Sequence, residues 1–253
     1  MKKVLITGGS EGLGLALAEC YAKEGYHIIL CARDRLKLEE AKHFLQNHHL
    51  CKVDTISIDL GVKDGPENLF QTVGSVDVLV NNAGIGSNGA SWKTSLDKEN
   101  ALVEINVVAM MDLCKLYLKD MTERKEGVIL NISSTGAFQP GPYIAAYYAS
   151  KSFVESYTRA IAMEAKEYHV SVFCACPGPL DTDFYHKHDG KKPKNAMSVE
   201  HCAEYIYSHM HKKVLIIPGF INRVLYYLPK GFKMRFVYRM KKKALKEKKD
   251  AAD

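Results

Sequence analysis

At 253 residues, with 47% hydrophobic and 25% charged side chains, the chain is long enough for one large α/β domain with a full core and has the balance of an ordinary globular protein. No apolar run approaches the ~18 residues of a membrane span, and glycines follow "MKKVLIT" too soon for a secretory signal, so an intracellular, cytoplasmic protein is expected. The net charge of +6 is uneven: from Lys212 onward 13 Lys/Arg face 3 Asp/Glu, giving the tail +10 and the first 211 residues −4, which argues against a nucleic-acid binder.

Seven short apolar runs, at 3–7, 27–31, 54–58, 77–81, 127–132, 170–175 and 213–217, read as buried strands. Helix-length segments separate them. That order predicts a single-domain, Rossmann-like, doubly wound parallel sheet over residues 1–217, with a basic amphipathic extension over 218–253.

The first strand runs into "TGGSEGLG". Gly8, Gly12 and Gly14 permit a tight turn that leads into a helix N-terminus, a natural seat for a pyrophosphate. The second strand ends in "CARD", where Ala32 is not acidic and Arg33 can grip a phosphate. Asp34 is placed to cap the next helix. Further along, "YYASK" sets Tyr147 and Lys151 at i, i+4 on one helix face, whereas Tyr148 is turned by about 100°. A phenol with a pKa near 10 needs such a cation if it is to act as a proton donor.

These segments, with Asp59, "NNAG" (81–84), Asn106 in "EINVV", "NISS" (131–134), "PG" (177–178) and Thr182, occur in one order. In that order they resemble the short-chain dehydrogenase/reductase superfamily over about residues 1–217. The resemblance implies a nicotinamide cofactor held by Gly8, Ser10, Gly12, Leu13, Gly14, Arg33, Asp59, Leu60, Asn82, Ala83, Gly84, Tyr147, Lys151, Pro177, Gly178 and Thr182. It implies Tyr147 as acid, Lys151 lowering its pKa and holding the nicotinamide ribose, Ser134 binding the substrate oxygen, and Asn106 holding a water that links Lys151 to solvent. Ser133 in place of Ser134, and Asp59 as a plain helix N-cap, are the alternatives. NADP(H) is favoured over NAD(H), although Glu11 stands where many NADP-binding members carry a basic residue.

The expected substrate is a ketone or secondary alcohol, hydrophobic and lipid-like or steroid-like. The expected assembly is a homodimer or homotetramer, through helices near 98–120 and 147–167. The polar stretch "YHKHDGKKPKN" reads as a substrate lid whose His186 and His188 are solvated, and the seven scattered cysteines show no CxxC spacing. No metal is expected. In the tail, apolar positions 220, 221, 224, 225 and 228, then 232, 236, 237 and 240, recur at helical spacing on either side of Pro229 and Gly231. That stripe either lies in a membrane interface or packs on protein. A catalytically idle cofactor-binding sensor or scaffold is the other class of protein this pattern admits.

Overall fold

In a computed structural model, which describes residues 1–182 and 196–250 with side chains to residue 245, all seven strands form one parallel sheet. They are β1 (Lys3–Thr7), β2 (His27–Ala32), β3 (Val53–Ser57), β4 (Val78–Asn81), β5 (Gly127–Ile132), β6 (Val170–Ala175) and β7 (Leu215–Ile216), in the order β3-β2-β1-β4-β5-β6-β7. Of the expected strand 213–217 only two residues pair with β6.

The strands are apolar throughout because both faces are covered. On β1, Val4 and Ile6 join a core with α1 (Gly12–Lys23), α2 (Arg35–His48) and α7 (Val199–His209). Leu5 joins the opposite core, with α3 (Gly65–Val73), α5 (Met110–Arg124) and α6 (Ala145–Ala165). The sheet order reverses between β1 and β4. A crevice therefore opens at their carboxyl ends, the place where open α/β sheets bind ligands.

α4 (Leu96–Val103) passes into α5 through a π-helical turn, Glu104–Ala109. Two helices follow β7: α8 (Phe220–Tyr227) and α9 (Lys230–Asp250), broken at Pro229 as the sequence suggests. Their apolar stripe divides. Val237 packs inward between Lys233 and Lys241, all three under 10% exposed, while Phe220, Ile221, Phe232 and Phe236 are 64–72% exposed. Lysine stems tolerate the inner face because their ammonium groups find acceptors: Lys233 donates to the Tyr226 carbonyl at 3.3 Å and Lys241 to Asn88 Oδ1 at 3.2 Å. Among the described residues no helix is long and apolar enough to cross a membrane.

Candidate active site

The turn after β1 is built as a cradle. Gly8 and Gly12 have φ of +62° and +57°, and a Cβ on Gly14 would stand 2.2 Å from the Gly8 carbonyl oxygen. Ser10 and Leu13 belong to the same turn and the first turn of α1. Asn82 holds the turn from the side, its Nδ2 donating to the Thr7 and Gly8 carbonyls at 3.1 and 3.0 Å. The Asn82 and Ala83 amides both donate to Thr7 Oγ1. A Cβ on Gly12 would meet Thr182 Cγ2 at 3.3 Å, so the segment after β6 closes on the glycine-rich turn. Gly178 in that segment lies against Asn222 of α8, and the Pro177 carbonyl accepts from the Thr135 amide at 2.9 Å. These residues fit an extended dinucleotide laid from β2 to β6.

At the β2 end, Asp34 caps α2 as expected, accepting from the Leu36 and Lys37 amides, and Arg33 is exposed. Asp59 is exposed and Leu60 buried beside it. Asp59 accepts from the Gly61 amide at 2.9 Å, but α3 starts only at Gly65 with Asp64 as its N-cap, so Asp59 is not a helix cap.

The second half of the site gathers on α6. Tyr147 and Lys151 lie one turn apart near its start, with Lys151 Nζ 5.9 Å from the Tyr147 ring centre. Ser134 hydrogen-bonds Tyr147, and its Oγ accepts from the Gly136 amide at 3.0 Å. Ser133 points away from this pair: it is buried and donates to the Lys151 carbonyl at 2.7 Å. Tyr148 turns to the other side, its ring against Gly136 and Gly141. A Cβ on Gly84 would lie 3.1 Å from Asn106 Oδ1 and 3.4 Å from Lys151 Nζ, so the loop after β4 touches both.

One expectation is corrected here. Burial pushes the Tyr147 phenol up to about 12, with the Ser134 hydrogen bond opposing it, rather than Lys151 pulling it down. Burial also drives Lys151 down to about 8, and its ammonium donates to the Ile132 carbonyl at 2.9 Å. Asn106, in the π-helical turn, is tied to the loop after β4. Its Oδ1 accepts from the Ile85 amide, and its Nδ2 donates to the Ile85 carbonyl and Ser150 Oγ, clamping the loop after β4.

Sequence reasoning did not anticipate Tyr143, Asn222 or Lys37. Tyr143 has φ +65°, its carbonyl accepts from the Gly89 amide, and its ring stacks on Tyr238 of α9 at 5.7 Å. No local pattern announces contacts made across 95 residues. The lid stretch with His186 and His188 lies outside the described residues. Among those that are described, no group of three His, Cys, Asp or Glu side chains is placed to hold a metal.

A glycine-rich turn at the switch point, with a phenol, a hydroxyl and an ammonium gathered beyond it, is a layout that suits a dinucleotide-dependent oxidoreductase. Residues 2–193 match the short chain dehydrogenase family, and the chain belongs to it. It is accordingly an NAD(P)-dependent oxidoreductase acting on carbonyl or alcohol groups. The chain is 33% identical over 185 residues to an NADPH-dependent pterin aldehyde reductase of Arabidopsis thaliana, covering 72% of this chain and 76% of that one. It is 30% identical over 185 residues to a 3-ketodihydrosphingosine reductase of Bacteroides thetaiotaomicron, covering 72% and 65%. Among solved structures, a short-chain dehydrogenase from Sphingobium yanoikuyae in complex with NADPH superposes with TM-score 0.82 at 23% identity, over 87% of this chain and 89% of that one.

Proposed function

We propose that the protein is an NADP(H)-dependent oxidoreductase that interconverts a hydrophobic, lipid-like or steroid-like ketone and its secondary alcohol, with Tyr147 as the acid in reduction and the base in oxidation. The observation that carries this reading is the Ser134–Tyr147 hydrogen bond beside Lys151 on one helix face. When bound, the nicotinamide supplies or accepts the hydride.

Ser134 holds the substrate oxygen and Tyr147 gives it a proton. The phenolate left behind lies one helical turn from the Lys151 ammonium and keeps its hydrogen bond with Ser134, which opposes the burial that disfavours it. Asn106 keeps Gly84 and Ile85 in place around that ammonium. Gly8, Ser10, Gly12, Leu13 and Gly14 hold the pyrophosphate, Asp59 and Leu60 the adenine, and Asn82, Ala83 and Gly84 the adenosine side. Pro177, Gly178 and Thr182 hold the carboxamide, and Arg33 takes the 2′-phosphate. The printed name of the Arabidopsis relative supports NADP(H), and that of the Bacteroides relative supports a lipid-like ketone.

Residues 1–217 act as the catalytic domain and 218–253 as an extension of its substrate side. The outward aromatic side chains of α8 and α9, in a stretch with no Asp or Glu between Gly219 and Leu245, suit the surface of an anionic membrane. α5 and α6 are the helices through which a homodimer or homotetramer would form. The reaction is tested by following NADPH and NADH absorbance with a panel of bulky and small ketones. The reading predicts ketone-dependent loss of NADPH, faster for bulky apolar members. Turnover with NADH alone would overturn the cofactor assignment.

A further inference from the structure

Glu11 is the awkward residue of the phosphate turn. It sits between Ser10 and Gly12, where the turn lies against β2: the Gly8 amide donates to the Cys31 carbonyl at 2.7 Å. An unbalanced carboxylate there would repel a phosphate carried on the neighbouring ribose.

The fold supplies a counter-charge from a distance. The Glu11 carboxylate is ion-paired with the ammonium of Lys37, in the first turn of α2. That turn is fixed in two ways. Asp34 accepts from the Leu36 and Lys37 amides at 3.0 and 3.2 Å, and Ser57 Oγ donates to the Arg33 carbonyl at 2.9 Å. The backbone from Arg33 to Lys37 therefore has little freedom, and the bridge spans the ends of two adjacent strands, β1 and β2.

Both side chains stay accessible, at 44% for Glu11 and 39% for Lys37. An ion pair this exposed contributes little to folding. It does bring a second cation to the end of β2 that carries Arg33. An ammonium suits this position because it can share its three donors between a carboxylate and a phosphate.

We propose that Lys37 is the second cation of the 2′-phosphate site. Glu11 holds the Lys37 ammonium at the ribose end of the turn, and Lys37 cancels the charge by which Glu11 would exclude a phosphate. The basic residue missing from position 11 is thereby supplied from α2. The inference rests on the NADP(H) reading and gives it a specific pair of residues.

The test compares adenosine 2′,5′-bisphosphate with 5′-AMP, two probes that differ only in the 2′-phosphate, by titration calorimetry. Unmodified protein should favour the bisphosphate by about tenfold or more. Lys37→Ala should weaken bisphosphate binding by about tenfold and leave 5′-AMP within about twofold. Glu11→Gln should match or exceed the unmodified protein for the bisphosphate. The double variant Glu11→Gln/Lys37→Ala should remain about threefold or more weaker than unmodified protein, because the cation is gone even when the acid is. Recovery of full affinity in the double variant would reduce Lys37 to a counter-ion and overturn the assignment. So would a Lys37→Ala protein, shown by its melting curve to be folded, that binds the bisphosphate unchanged. Equal binding of both probes by unmodified protein would instead overturn the NADP(H) reading itself.

Discussion

The Lys151 ammonium lies 5.9 Å from the centre of the Tyr147 ring while donating at 2.9 Å to the Ile132 carbonyl. Burial sets both groups: the phenol is pushed up to about 12 and the ammonium down to about 8. Ketone reduction needs a protonated phenol, which persists at ordinary pH, and a charged Lys151, which is lost as pH rises through about 8. The reduction rate should therefore hold below about pH 7 and fall above 8, while alcohol oxidation, which needs the phenolate, should rise with pH. Rate profiles in both directions check this. A reduction rate that stays level to about pH 10 would contradict it.

The two serines of "NISS" should separate cleanly. Ser133→Ala removes a buried hydrogen bond to the Lys151 carbonyl and should cost about 1 kcal/mol, a fall in Tm of about 2–4 °C, with kcat within a few-fold. Ser134→Ala, which forfeits the hydrogen bonds to the Gly136 amide and Tyr147, should lower Tm by a similar amount but lower kcat about 10²-fold. Melting curves and steady-state kinetics on both variants decide it. The reverse ranking in kcat would move the substrate oxygen to Ser133.

The stack of Tyr143 on Tyr238 joins the loop before α6 to the C-terminal helix. Removing one ring of such a pair forfeits about 0.5–1.5 kcal/mol. Tyr238→Ala should raise KM for a bulky ketone by about threefold to tenfold and leave that for a small ketone unchanged. Equal effects on both would show that the stack only supports the fold.

Phe232 and Phe236 are both 64% exposed. Replacing both with Ser should leave Tm unchanged. Because burying a phenylalanine is worth about 1.5–3 kcal/mol, co-sedimentation with phosphatidylglycerol vesicles should weaken more than about 10²-fold. Undiminished vesicle binding would leave the outer face of α8 and α9 without a lipid role, and concentration-dependent dimerisation lost in the same variant would assign it to a second copy.

Much of this molecule is legible in its sequence because its information is local. Each strand is a short apolar run buried on both faces, and the glycines at 8, 12 and 14 stand where the backbone turns or a Cβ would collide. Tyr147 and Lys151 share a helix face by spacing alone. What escapes the sequence is pairing at a distance and the balance of burial against charge. Glu11 meets Lys37 across 26 residues, and Asn106 reaches back 21 residues to Ile85. The inner face of α9 is lined by Lys233 and Lys241 because acceptors on other elements await their ammonium groups, something apolar periodicity cannot foretell. The Tyr147 pKa fails for the same reason, since spacing shows the cation but not the depth of the phenol.

Tyr147 and Tyr148 stand side by side at the start of α6, and the proposed reaction assigns the proton to Tyr147 alone. That assignment is tested most directly by comparing Tyr147→Phe and Tyr148→Phe for ketone-dependent NADPH consumption, with NADPH affinity measured by fluorescence titration in the same preparations. Tyr147→Phe should bind NADPH within about threefold of the unmodified protein yet lose at least about 10²-fold in kcat, while Tyr148→Phe should keep most of its turnover. A Tyr147→Phe enzyme that turns over at a near-normal rate, or a Tyr148→Phe enzyme that is the more damaged of the two, would contradict it.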